Sequence, residues 1–481
     1  MKKRSVPGIK TKVMDYFSKP IFSISLLLVL GVVIASFAFE KKKDLSVQKS
    51  IKAIPAAKIT SVIPKDVDIP PGFGGNPIEF FDDFSWQSFT ALTWPAKNNE
   101  RGVADESKAF TDPGPKVFET YKDLAEIFHN DGSAPAPWDQ YDQNNACNTP
   151  RGFGSVVLAS FSKFSNLGQA GFGTLVGPLV AQNKTYVRFL TSFNKIEFDQ
   201  IASQKLYLRS NLTGTITFQN GAIDLKSAWI DMKGISHPER YYTRLAVVMD
   251  PDDNNKCSEK LVGLVGLHIV QKTPSRPQWI WSTFEHIDNI SQPGAVAPFT
   301  FHDGTNTLMP GKNPYKVNPL AVPTPAPYNV DRIKPIHPST QQTNAAYQKL
   351  LKDKNSVFQF YQLVMTQWPL QLNPPNPIPA SQSGAPDFTF PGSGATTAFA
   401  NLTMETFDQN KISTGCMACH NSIKRVDFLW ALNDHAFPSN INTPNFVSNN
   451  PALVKLKADL KSAEKESIKQ FNIKLQKQKN N

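Results

Sequence analysis

From Thr215 onward apolar and polar residues alternate with a period of two, and this pattern most narrows what the chain can fold into. Thr215 to Phe218, Ile223 to Trp229, Arg244 to Met249, Leu261 to Val270 and Trp279 to Glu285 read as successive strands. Asn220-Gly221, the loop from Asp250 to Cys257, and Thr273-Pro274-Ser275-Arg276-Pro277 separate them. Connections this short join antiparallel neighbours, because a parallel pair needs a long crossover.

Helical signals flank that region. Asn76 can cap a helix with Pro77 at its first position, and Phe80, Phe81, Phe84, Phe89 and Leu92 draw an apolar face before Trp94-Pro95 ends it. Tyr186, Phe189, Leu190, Phe193, Ile196 and Ile201 predict a second helix, and a third is expected between Ala345 and Gln367. The aromatic stripes read as core. Residues 292–338 and 372–394 are proline-rich and should run over the surface as long irregular excursions. Gly72 to Gly75 and Gly171-Phe172-Gly173 lack a phosphate-binding spacing and read as turns; no internal repeat is evident. With 38 prolines and 26 glycines in 481 residues, the composition suits many short elements joined by ordered loops. The expected class is α+β: a β-rich body with antiparallel strands and long Pro-rich loops, plus a small, mostly helical segment near the C-terminus.

Residues Ile21 to Phe39 form an uncharged apolar run long enough to cross a bilayer as a helix. Six basic residues precede it, which predicts a cytoplasmic N-terminus and an exported body. Lys41, Lys42 and Lys43 just after it favour a retained anchor, with a signal peptide cleaved near Ser36-Phe37-Ala38 as the alternative. Much of the net charge of +11 sits at the two ends. The first forty residues carry six bases against two acids, and the tail from Ala452 carries eight lysines against three acids. The body between them is close to neutral and has no basic stripe with interleaved aromatics, so no nucleic-acid partner is expected.

Two of the four cysteines fall in Cys416-Met417-Ala418-Cys419-His420. C-x-x-C-H is the attachment signal for a c-type haem: each thiol adds to a vinyl group, and the adjacent imidazole is delivered to the iron. A structural zinc site would need more ligands at close spacing, and only His435 lies nearby. A thioredoxin-like dithiol would follow a strand in a βαβ unit, whereas this motif follows the polar stretch Asp408 to Gly415. Over residues 401–437 the chain resembles the c-type cytochromes, as the attachment segment of a monohaem cytochrome set at the end of a larger exported protein. Gly263 to Asn289, with Gln278-Trp279-Ile280-Trp281 and Thr283 to Asn289, is similar to large periplasmic cytochrome-like proteins that carry one such motif near the C-terminus. The resemblance implies one haem c per chain, held by Cys416 and Cys419 with His420 as axial ligand. No methionine follows Met417, so the distal ligand of the small soluble cytochromes does not carry over. Among the histidines and methionines, His286 at the end of a Trp- and Phe-rich strand and Met404 shortly before the motif are the distal candidates, beside an open or water-bound position. Cys147 and Cys257 remain, in polar loop segments. In an oxidising compartment they are expected to form a disulfide, two free thiols being the alternative.

The organisation expected is therefore a cytoplasmic terminus and anchor over 1–40, a tether over 41–75 and a periplasmic body over 76–400. A haem segment over 401–450 and a lysine-rich amphipathic tail helix over 451–481 follow. Electron transfer to a redox partner protein, from the inner membrane, is the expected role. The alternatives are a haem enzyme of peroxidase or oxygenase type, and a redox- or gas-sensing binding module with Trp86, Trp94, Trp138 and Trp281 along a groove.

Overall fold

A computed structural model describes residues 55–439, apart from 72, 74–76, 144, 146, 159–178, 250–256, 305–328, 369–400, 407–408, 410–415, 417–419, 421–422 and 424. The apolar run at 21–39, the turn at 171–173, much of the proline-rich excursions and the tail at 451–481 lie outside the described residues. Among the described residues no helix is long and apolar enough to cross a membrane.

One mixed sheet dominates. Its strands are β1 (Lys122–Asp123), β2 (Val157–Leu158), β3 (Arg188–Phe193), β4 (Ile223–Asp231), β5 (Thr243–Met249), β6 (Cys257–Gln271), β7 (Ile280–His286) and β8 (Tyr361–Gln367). The order is β1-β3-β4-β6-β5-β2, with β7 paired to β6 and β8 paired to β7. The fifteen-residue β6 organises it. Residues 257–263 pair with β5, residues 266–271 pair with β7, and β4 runs along 262–271. Pairing is antiparallel except for β2 on β5, which is parallel. The first half of β6 is largely open to solvent and the second half is buried, because only the second half is covered on both faces.

Helix α1 (Ile78–Leu92) covers one face. Thirteen of its fifteen residues are buried, so its polar side chains must find partners inside the protein. Ser85 Oγ is within 2.7 Å of both Ser282 and Thr366. Trp86 Nε1 donates to Asn344 Oδ1 and Tyr347 Oη donates to Asp83 Oδ1. Thr340 and Thr366 both donate to the Asp82 carboxylate. Apolar contact supplies the remainder: Trp86 stacks on Tyr347 at 5.0 Å, and Phe89 on Phe284 at 4.4 Å. Each such aromatic pair contributes about 0.5–1.5 kcal/mol beyond its area burial.

Five sequence expectations are corrected. The stretch 186–201 is not one helix: β3 ends at Phe193, Asn194 caps a new helix by accepting from Glu197 N, and α2 (Lys195–Ser203) follows. Residues 345–367 also divide, into α3 (Pro338–Asp353), a short 3-10 turn and β8; the break comes at Asn355, whose φ is +56°. Thr215 to Phe218 joins no strand of the sheet, and Ile216 instead forms a parallel bridge with Val426. The packed body also begins before Asn76, since Ala57, Ile59 and Ile63 lie against the main core and Val67 and Ile69 against a second cluster. The tryptophans line no groove: Trp86, Trp138 and Trp281 are buried, and Trp94 packs on the core. The expected disulfide is present between Cys147 and Cys257.

Candidate functional site

The described part of the C-terminal segment docks on the body through the strip that precedes β4. The Ile216 N–H donates to Arg425 O, Arg425 Nη1 donates to Leu212 O, and the Phe437 N–H donates to Tyr207 O. At the far end Arg209 donates from Nη2 to the carbonyls of Asn433 and Ala436, which closes the last turn of α4 (Trp430–His435). A cation on terminal carbonyls supplies the donors that a helix C-terminus lacks. Val426, Phe428, Leu429 and Leu432 are buried in the main core, so the segment is part of the folded body.

Cys416 and His420 are both partly buried at this junction, and residues 417–419, hence Cys419, lie outside the described residues. Cys416 packs against the main core and against the cluster of Ile78, Phe81, Phe84, Ile280, Met365 and Trp368, at the start of α1 and the adjoining ends of β7 and β8. The His420 ring sits 4.4 Å from the ring of Trp281 on β7. His420 Nδ1 lies 2.6 Å from Phe428 O. A carbonyl only accepts, so Nδ1 carries a proton, and in the neutral imidazole the lone pair is left on Nε2.

The carbonyl is held by an unusual piece of backbone. Asp427 and Phe428 have φ of +53° and +70°, the left-handed region, which costs roughly 1–2 kcal/mol per non-glycine residue. Buried polar contacts hold the conformation: Asp427 Oδ2 accepts from Phe218 N and from Lys272 Nζ, each at 2.7 Å. Lys272 Nζ also donates to Pro277 O at 2.6 Å. Glu197 of α2 completes the group. It is fully buried, and neither carboxylate oxygen has a hydrogen-bond partner among the described residues. Burial pushes its carboxyl well above the usual range, reinforced by Asp224 and Asp427 and opposed by Lys272. Desolvation raises Asp224 to about 7, and burial lowers Lys272.

The two distal candidates belong elsewhere in the packing. His286 is fully buried, with Nε2 at 2.9 Å from Arg240 O and Nδ1 accepting from Asp288 N, and its ring stacks on Tyr241 at 3.9 Å. Both ring nitrogens are engaged in these bonds, which hold the end of β7. Met404 lies in the apolar cluster of Val187, Phe189, Val265 and Leu402. The described contacts thus bring together Cys416, His420 and Trp281; Asp427, Lys272 and the Phe428 carbonyl were not foreseen. A lone Asp and Lys 155 residues apart give no spacing signal.

Among the described residues no three His, Cys, Asp or Glu side chains converge as a metal site. A haem iron asks for less, because the porphyrin supplies four ligands and the protein one or two. The donor set fits: a thiol at 416, an imidazole at 420 with its proton fixed on Nδ1, and an aromatic ring beside it. No family model, curated protein or solved structure matches the chain.

Proposed function

We propose that this chain is a c-type cytochrome-like protein that carries one covalent haem at Cys416 and Cys419 and transfers electrons to or from a redox partner protein. Its body stands in the periplasm, tethered to the inner membrane through residues 21–39. The observation that carries the reading is the His420 hydrogen bond: donation from Nδ1 to a backbone carbonyl is how a metal-binding histidine is oriented and its basicity raised. The haem, when bound, supplies an iron that cycles between ferric and ferrous states. Cys416 supplies one thiol for attachment, and His420 presents Nε2. Trp281, itself buried and fixed by donation from Nε1 to Gln278 O, limits rotation of the imidazole and keeps water from that side. The Cys147–Cys257 disulfide supports an oxidising compartment, where c-type attachment in bacteria takes place.

The test is covalent attachment. Produced with a periplasmic haem-maturation system, the denatured chain should retain one haem through acid-acetone extraction, and Cys416→Ala with Cys419→Ala should abolish it. Haem released into the supernatant, or a chain isolated without haem, would defeat the assignment.

A further inference from the structure

We infer that Asp427, locked by Lys272, is a positioning residue that fixes the proton of His420 on Nδ1 and sets how strongly that histidine donates electrons from Nε2. The inference deepens the haem reading and, for its consequence at the iron, rests on it.

Asp427 and Phe428 are adjacent, and the carbonyl that accepts from His420 belongs to the second of them. Two successive left-handed residues without a glycine are not a conformation the chain adopts on its own, so something must hold them. The holding groups come from two other elements. Phe218 N–H lies on the strip where the C-terminal segment docks, and Lys272 Nζ lies just past the end of β6. Both bonds converge on one oxygen, Oδ2, which is buried, so bulk water cannot replace either partner. Lys272 is itself oriented from a third point, Pro277 O. Asp427 therefore ties the turn carrying the Phe428 carbonyl to the strip before β4 and to the residue that follows β6. The carboxylate of the other acid facing this group from α2, Glu197, accepts no hydrogen bond among the described residues and so ties the turn to nothing. Asp224 of β4 acts on Glu197 through its charge and makes no side-chain bond to the turn among the described residues.

Loosening the turn would lengthen the bond from Nδ1. A weaker bond leaves the imidazole less anionic in character and a poorer donor, and a poorer donor stabilises ferric iron less. Loss of Asp427 should then raise the reduction potential while Cys416 and Cys419 still hold the haem.

The experiment compares full-length wild type with Asp427→Asn, the double variant Asp427→Asn with Lys272→Met, and Glu197→Gln. The double variant removes the lysine that a neutral asparagine would leave buried and unpaired. Where the chain is isolated with haem, the expected result is one haem per chain in all four. Potentials should be more positive in the two Asp427 variants and unchanged in Glu197→Gln. Where it is isolated without haem, the haem reading has failed, and the proposal is read from the His420 ring nitrogens by NMR after histidine-selective nitrogen-15 labelling. Wild type and Glu197→Gln should then show the Nδ1–H form alone, and the Asp427 variants a mixture of the two neutral tautomers. Folded Asp427 variants with wild-type potential, or with the wild-type tautomer, would overturn the inference. So would an equal shift in Glu197→Gln, which would assign the effect to general charge. Failure of both Asp427 variants to fold would also overturn it, since the pair would then be a support for the whole body.

Discussion

Burial pushes the His286 imidazole down to about 4, and His435 in α4 to about 4 for the same reason. Each is neutral in the folded chain near pH 7 and takes up a proton near 6.5 once unfolded. The unfolded state therefore binds more protons between those values, and stability falls as pH drops from about 6.5 to about 4. His286→Gln should remove about half of that loss, which denaturant titrations at pH 4.5 and pH 7.5 would measure. Because the ring nitrogens of His286 serve Arg240 O and Asp288 N, the same variant should keep the visible spectrum of the haem-loaded protein. A changed spectrum would return His286 to the list of iron ligands.

Helix α1 carries the opposite linkage. Asp82 is fully buried, and desolvation raises its carboxyl to about 7 in spite of the hydrogen bonds from Thr340 and Thr366. Here the folded state holds the proton to higher pH than the unfolded chain does, so stability falls as pH rises from about 4 to about 7. Asp82→Asn keeps an acceptor for one threonine hydroxyl and cannot ionise. The variant should lose that downward slope and equal or exceed wild type in stability above pH 7, by up to a few kcal/mol on the scale of about 1.4 kcal/mol per pKa unit. Equal slopes in the two proteins would show that Asp82 is charged in the fold, its penalty met by its two hydroxyl partners.

Across the whole molecule, the Cys147–Cys257 bond closes a loop of 110 residues between the segment before β2 and the first residue of β6. Chain-entropy reasoning gives about 4–5 kcal/mol for a loop of that length. Cys147→Ser with Cys257→Ser should lower the melting temperature by several degrees, and wild type under reducing conditions should follow it. Coincident melting of oxidised and reduced wild type would show that the ends of this loop are held by packing alone. The haem content per chain should stay unchanged, because the bond joins elements on the far side of β6 from Gln271, the end near which Lys272 and the Asp427 turn meet.

What the sequence determined by itself was local or covalent. The strands from Ile223 to His286 were legible because the side-chain period of two survives wherever one face is buried, and the cysteine pairing was legible because only two thiols remained outside the C-x-x-C-H motif. The haem chemistry proposed at Cys416 and His420 likewise rests on spacing. What the tertiary structure decided was every feature that depends on what lies opposite a residue. Phe189 and Phe193 share a helical stripe with Ile201, yet pairing with β4 made the first half a strand, and Asn194 with Glu197 three residues on marks the change. Ile216 alternates like a strand residue, but the sheet edge it would need is already occupied, so it bridges Val426 and becomes part of the dock for the site. His286 was a distal candidate because it ends an aromatic strand; the fold places a carbonyl at one of its ring nitrogens and an amide at the other. The Phe428 carbonyl and the Asp427–Lys272 pair leave no trace in sequence spacing, since a buried polar contact is specified by the two surfaces that meet and not by the residues between them.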